Sequence, residues 1–222
     1  MTDIATRPDF AAIKQRQQAT WASGDYHMIG TQILLSSELL IEALDVHAGE
    51  RVLDVATGSG NAALAAARRG CSVVGLDYVP DLLERARIRA AAEGVTADFI
   101  EGDAEALPFE DGSFDAVVAG ELFEHLQFPD ALVAEIVRVL RPGGVLAGSV
   151  PNAFRVQSRL RFLRGEPPED DPTHLRMFSP AALRQLLSRF GRVELRYVGG
   201  RYARLNARLF ARDLVFTAVK PS

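Results

Sequence analysis

Three side chains able to handle protons or metals crowd one short stretch of this 222-residue chain, GELFEHLQFPD at 120–130. If that segment is helical from its start, Glu121 and Glu124 stand three apart and His125 four from Glu121, so all three share one face. Two carboxylates and an imidazole converging in this way suit a divalent cation, and their oxygen-rich character favours Mg²⁺ or Mn²⁺ over Zn²⁺. With no metal, His125 beside Glu124 makes a candidate catalytic pair, as a general base or a substrate contact. A purely structural role is the third reading.

A second set of residues is suited to holding a ligand. The stretch RVLDVATGSGNAALAAARRG at 51–70 begins with Val52, Leu53 and Val55, which suit a buried strand. Gly58 and Gly60 then break the run before an alanine-rich helical segment. Glycines at such a turn let a ligand approach the backbone, and the N–H groups that open the helix favour a polar or anionic group. Asp54, inside the strand, can face an amine. Asp77 falls 17 residues after Gly60, where the end of a neighbouring parallel strand puts a carboxylate within reach of two ribose hydroxyls. Asp103 and Ala104 reach the same edge near the place of an adenine ring. These positions point to an adenosine-containing cofactor. GSGNAA also satisfies the loose dinucleotide pattern G-x-G-x-x-G/A, a weak signal taken singly.

The elements that must position these groups alternate along the chain. Helical patterns cover 9–23 and 31–44, separated by the Gly-punctuated loop WASGDYHMIG, which offers Trp21, Tyr26 and His27. Strands are expected at 71–77, 97–103, 114–121 and 145–150, with helices over 80–93 and 129–140. The pattern predicts an α/β fold: a mostly parallel sheet with helices on both faces and ligands at the carboxyl ends of its strands. Length and a 48% apolar composition predict a single domain with a full core. Cys71 is the only cysteine, so no disulfide can form within the chain, and it is expected to pack as a small apolar residue. No apolar run is long enough to span a membrane and none reads as a signal peptide, so a cytoplasmic protein is expected. Net charge of −4 conceals halves of −9 and +5, divided near residue 111. The late arginines read either as solvated faces or as a site for an anionic substrate.

Asp54 before the glycines, Asp77 after them, GDAEALPFEDGSFDAVV and LRPGG together resemble the class I S-adenosylmethionine-dependent methyltransferases, from about residue 45 to about 151. The resemblance implies a Rossmann-like seven-stranded sheet whose last strand is antiparallel, with 192–200 and 207–220 as the final two strands. Residues 1–44 would be a helical lid, 45–222 the core, and about 152–185 an acceptor-side insertion. It further implies S-adenosylmethionine as cofactor and S-adenosylhomocysteine as product. Asp54, Ala56, Thr57, Gly58 and Gly60 would surround the methionine part, Asp77 the ribose, and Asp103 and Ala104 the adenine, with Tyr26, Tyr78 and Gly120 counted in the cofactor set. Ala56 departs from the family's first glycine and adds a methyl group there.

The E-x-x-E-H pattern is similar to that of ubiquinone-biosynthesis O-methyltransferases and of the terminal 2′-O-methyltransferases of small RNAs. His174, within PTHLRMF, resembles the fourth ligand of the RNA enzymes and completes a metal set of Glu121, Glu124, His125 and His174. Residues 10–110 resemble small-molecule methyltransferases of the ubiquinone/menaquinone type, whereas 112–185 resemble a different O-methyltransferase branch, so a recombined chain is one reading. The expected function is methyl transfer to a small-molecule acceptor, anionic in one reading, at oxygen rather than nitrogen or carbon. The alternatives are a cofactor-binding protein without efficient turnover, a metal-assisted RNA 2′-O-methyltransferase and, more distantly, a nicotinamide-dependent oxidoreductase. Nucleic acid is not the expected partner, and the chain is expected to be a monomer or homodimer.

Overall fold

A computed structural model describes residues 10–23, 34–168, 171 and 173–222. Tyr26 and His27 lie outside the described residues. In chain order the elements are α1 (Phe10–Ser23), α2 (Leu34–Leu44), β1 (Arg51–Val55), α3 (Asn61–Arg68), β2 (Ser72–Asp77), α4 (Pro80–Glu93), β3 (Asp98–Glu101) and β4 (Phe114–Gly120). There follow α5 (Pro129–Val139), β5 (Leu140–Pro151), α6 (Val156–Leu163), α7 (Pro180–Leu186), β6 (Arg192–Val198), α8 (Ala207–Phe210) and β7 (Asp213–Val219). The seven strands form one sheet in the order β3-β2-β1-β4-β5-β7-β6, and β7 runs antiparallel to both of its neighbours.

Alternation along the strands assembles a core on each face of this sheet. In β1, Leu53 and Val55 enter a cluster with Leu132, Val133 and Ile136 of α5 and Leu183 of α7. Val52 points the other way, to Leu40 and Ile41 of α2, the alanines of α3 and Ala86 of α4. A strand's period of two puts Asp54 on the same side as Val52, against α3, which is how an acid in a core strand comes to meet a helix N-terminus. The helix ends obey local rules: α4 opens with Pro80 and closes at Gly94, whose φ of +67° is the left-handed value that suits glycine.

Four sequence expectations change in the structure. Glu121 takes a left-handed φ of +50°, and only Phe123–His125 coil, as a single 3-10 turn, so 120–130 is not an α-helix from its start. LRPGG is not a turn leading into a strand at 145, because β5 already begins at Leu140, with a shift of register against β4 between Phe114 and Ala116. The segment 207–220 divides into the short α8 and β7. The lid expected over 1–44 divides as well: α2 buries Ser37, Leu40, Ile41 and Leu44 in the core, with Ser37 and Leu40 also lining the pocket, whereas α1 lies over the site through Lys14, Gln17 and Trp21. Cys71 is buried at the head of β2, as expected.

Candidate functional site

The carboxyl ends of β1, β2 and β4 open onto a pocket of about 1190 Å³ that is continuous with solvent. Its position follows from the strand order. The chain leaves β1 towards β2 on one side and returns to β4 on the other, which leaves a crevice above β1 between the diverging connections. Asp54, Ala56, Thr57, Gly58, Asp77 and Tyr78 line it, and Asp103, Ala104, Gly120, Glu121 and His125 continue the lining towards its far wall.

Two carboxylates organise the floor. The Oδ2 of Asp54 accepts hydrogen bonds from the Thr57 hydroxyl at 2.6 Å and from the Ala63 N–H at 2.9 Å, so the acid is tied to the first turn of α3. Burial pushes its pKa up to about 7 against those two bonds, with the Asp77 charge adding to the rise. Asp77 accepts the Gly58 N–H on Oδ2 at 2.8 Å and the Val79 N–H on Oδ1 at 2.9 Å. The Tyr78 backbone also bonds this carboxylate, which still faces the pocket, where a ligand hydroxyl could reach it. Burial raises the Asp77 pKa too, opposed by these backbone donors.

Because the Asp54 carboxyl binds its proton more tightly folded than unfolded, the stability it contributes is complete below about pH 4 and is lost as pH rises through about 7. The stability of the unliganded protein is therefore expected to fall between pH 5 and pH 8. Asp54→Asn should flatten that fall by roughly 1–3 kcal/mol in urea titrations at the two pH values. Parallel pH curves for the variant and the parent protein would contradict this.

Gly58 and Gly60 have different duties. A Cβ built on Gly58 meets nothing within 4 Å, and its φ is +54°, so positive φ and open pocket, not packing, call for glycine there. Gly60 does not line the pocket. It sits at φ +86° as the N-cap of α3, and an added Cβ would lie 3.1 Å from Ala86 Cβ, so it lets α3 and α4 approach. Ala56 holds the place of the missing family glycine at φ +58°, a conformation that costs an alanine about 1 kcal/mol. These features fit an adenosine-bearing cofactor: an aspartate lining the pocket where a diol could reach it, a backbone turn with room for a ligand, and an acid facing α3.

Over this floor lies α1. Lys14 pairs with Asp103 and, at 2.9 Å, with Glu105, and those bonds raise its pKa although burial opposes the rise. Gln17 Nε2 donates to the His125 carbonyl at 3.1 Å, and Gln18 donates to that of Tyr78. The Trp21 ring meets His125 edge-on, with centroids 4.8 Å apart. Sequence reasoning missed Lys14 and Gln17, because contacts spanning 89 and 108 residues leave no local signal.

Near the far wall of the pocket the structure brings together Glu124, His125 and His174, whose ligand atoms all lie within 4.8 Å of one another. Glu124 is buried on the 3-10 turn, and its Oε1 lies 4.0 Å from His125 Nε2. His125 Nδ1 is 3.2 Å from both the carbonyl and the hydroxyl of Thr173. A carbonyl can only accept, so the neutral ring that bonds it carries its proton on Nδ1 and its lone pair on Nε2. The segment 173–176 is held along the turn by Leu175 N–H to the Glu124 carbonyl at 2.8 Å and by Arg176 to that of Gln127 at 2.7 Å. That strap places His174, whose ring centroid is 4.8 Å from that of His125.

Glu121 is not part of this group. Its left-handed backbone turns the side chain towards Ser149 and Asp213, and burial followed by the Asp213 charge pushes its pKa up to about 7. Its Oε1 is buried without a hydrogen-bond partner among the described residues. The shared helical face expected for Glu121 and Glu124 required an α-helix that the chain does not make.

Residues 53–148, from β1 into β5, match a family model described as a methyltransferase domain. An uncharacterised protein of Mycobacterium tuberculosis is 42% identical over 149 residues, 65% of this chain and 53% of that protein. The demethylmenaquinone methyltransferase of Thermus thermophilus is 46% identical over 101 residues, 45% of this chain and 46% of the relative. The chain thus spans about half the length of the curated relatives it matches. Among solved structures, a SAM-dependent methyltransferase from Archaeoglobus fulgidus shares the fold at 20% identity and a TM-score of 0.66, covering 89% of this chain and 100% of that one. The [4+2]-cyclase SpnF does so at 24% and 0.66, covering 85% and 80%. One fold therefore hosts different reactions, and the chemistry must be argued from the site.

Proposed function

We propose, from the premise that this chain belongs to the class I S-adenosylmethionine-dependent methyltransferases, that it methylates an oxygen of a small-molecule acceptor. The observation that carries this reading is the continuity of one pocket from the Asp77 carboxylate to the imidazole of His125. S-adenosylmethionine supplies a methyl group already activated as a sulfonium, so the protein's part is to bind, orient and exclude water. Asp77 takes the ribose hydroxyls, Asp54 the amino-acid end, and Asp103 with Ala104 the adenine edge. α1 covers the pocket through Lys14, Gln17 and Trp21, which removes water from the reacting groups. His125 Nε2 accepts the acceptor's hydroxyl proton, with its ring held in register by Thr173 and Trp21. The name of the Thermus thermophilus relative makes a hydroxylated quinone-like ring the first acceptor class to try.

A second reading rests on the cluster of Glu124, His125 and His174. A divalent cation there would polarise the acceptor oxygen as a Lewis acid. A proton on Nδ1, bonded to the Thr173 carbonyl, would put the lone pair of His125 on Nε2, the atom a cation would take as its ligand.

Calorimetry with S-adenosylmethionine and S-adenosylhomocysteine, paired with turnover on phenols and quinols, tests the first reading. Binding of both is expected, with kcat lowered about 100-fold in His125→Ala and affinity little changed. Binding without turnover on any acceptor would instead favour a cofactor-binding protein. Loss of turnover in chelator, restored by Mg²⁺ or Mn²⁺ and absent in Glu124→Gln, would select the metal reading, and chelator-insensitive turnover would remove it.

A further inference from the structure

Two arginine-rich segments left over by the cofactor site emerge from one edge of the sheet. Residues 152–165 follow β5 and residues 199–212 precede β7, and because these strands are antiparallel, Pro151 pairs with Asp213 and both segments leave on the same side. They are joined there: Asn152 donates its Nδ2 to the Ala211 carbonyl at 3.0 Å and to that of Arg208 at 3.2 Å, while its N–H donates to the Arg212 carbonyl at 2.8 Å. This is also the acceptor side of the pocket, since the Glu121 N–H bonds the Ser149 carbonyl of β5 at 3.1 Å.

The composition of this rim is unusual for a solvated surface. The first segment holds Arg155, Arg159, Arg161 and Arg164, followed in sequence by the acids of GEPPEDD at 165–171, and the second holds Arg201, Arg204, Arg208 and Arg212, followed by Asp213. Arg161 approaches Glu166 at 3.8 Å and Arg212 approaches Asp213 at 3.9 Å, and by sequence the arginines of the two connections still outnumber their acids. Among these arginines stand exposed apolar side chains. Phe162, Leu163 and Leu205 are 69%, 79% and 77% exposed, and Phe154, Leu160 and Tyr202 are exposed as well. Six of the twelve large apolar side chains exposed among the described residues therefore fall in these two segments. Only Ser158 of α6 is buried, so this helix lies on the surface with its apolar residues unspent.

We infer that this rim docks on an anionic phospholipid surface, with α6 lying in the headgroup layer. Arginines interleaved with Leu and Phe on a short surface helix gain twice at such an interface, from anionic headgroups and from acyl chains. A second copy of the chain suits the rim poorly, because a two-fold contact would set eight like charges against themselves. RNA would satisfy the arginines but not Leu160, Leu163 and Leu205, which have no planar face to stack on a base. No described helix is long and apolar enough to cross a membrane, and the contact inferred is a peripheral one. Nothing in it depends on methyl transfer.

The test is sedimentation of the full chain with vesicles of phosphatidylcholine containing none or about half phosphatidylglycerol. Binding is expected only with phosphatidylglycerol, weakening as salt is raised. Arg159→Gln and Arg204→Gln should each weaken it about fivefold, and Phe162→Ser with Leu163→Ser about tenfold or more, with thermal midpoints unchanged because these side chains are exposed. Equal failure to bind both vesicle types would overturn the proposal. So would binding to a single-stranded RNA without binding to vesicles, and so would self-association abolished by Phe162→Ser in a chain that ignores lipid.

Discussion

Asp77→Ala is expected to weaken S-adenosylmethionine and S-adenosylhomocysteine at least about 100-fold while the protein stays folded. One carboxylate here performs two tasks. It pins the turn by accepting the Gly58 and Val79 N–H groups, and in the proposed reading it also receives the ribose hydroxyls from the pocket. Two hydrogen bonds to a charged acceptor are worth about 3 kcal/mol together, which is the stated fold-change. Asp77→Asn is no milder a change. Its oxygen can accept only one of the two backbone donors, so its NH₂ faces the other N–H and the turn must shift. The side chain lies on an open pocket, so water can reach the amides that alanine leaves, and urea midpoints should move little. Calorimetric affinities within a few-fold of the parent protein would remove Asp77 from the ribose site.

The second large effect is on the frame. Gly148→Ala is expected to destabilise the protein by about 3 kcal/mol, read as a lowered urea midpoint at unchanged slope. A Cβ at Gly148 would lie 2.3 Å from Phe216 Cζ and 2.6 Å from the Ala119 carbonyl. The second contact is with backbone of the neighbouring strand, so it cannot be relieved by a rotamer. The first is with a ring in the core, edge-on to Phe123 with centroids 5.6 Å apart. Phe123 belongs to the 3-10 turn that carries Glu124 and His125, so relaxation around Phe216 should displace the acceptor end before the cofactor floor. Turnover should accordingly fall more than cofactor affinity. An unchanged urea midpoint would contradict the packing argument.

Much of the pocket floor was legible in the sequence because its signals are local. Asp54, Gly58 and Asp77 sit at the ends of short apolar runs, and in a parallel sheet the ends of neighbouring strands meet whatever the details of the loops. Gly60 shows the limit of such reading. As a motif glycine it looked like part of the cofactor set, yet what requires it is Ala86 on a helix 26 residues further on. The acceptor end was less legible. The spacing of Glu121, Glu124 and His125 carried meaning only on an α-helix, and the left-handed φ at Glu121 is set by its place between β4 and the 3-10 turn.

By itself the sequence determined the alternation of strands and helices, the antiparallel last strand implied by the family resemblance, and the acids and glycines above β1, because period-two burial and glycine conformation act over a few residues. Tertiary structure decided the rest. It put Lys14 on Asp103, separated Glu121 from Glu124, and brought His174 to His125 along a strap 48 residues away. Those meetings depend on how helices and loops pack over the sheet, and packing energy is spread across many weak contacts that no short window of sequence contains.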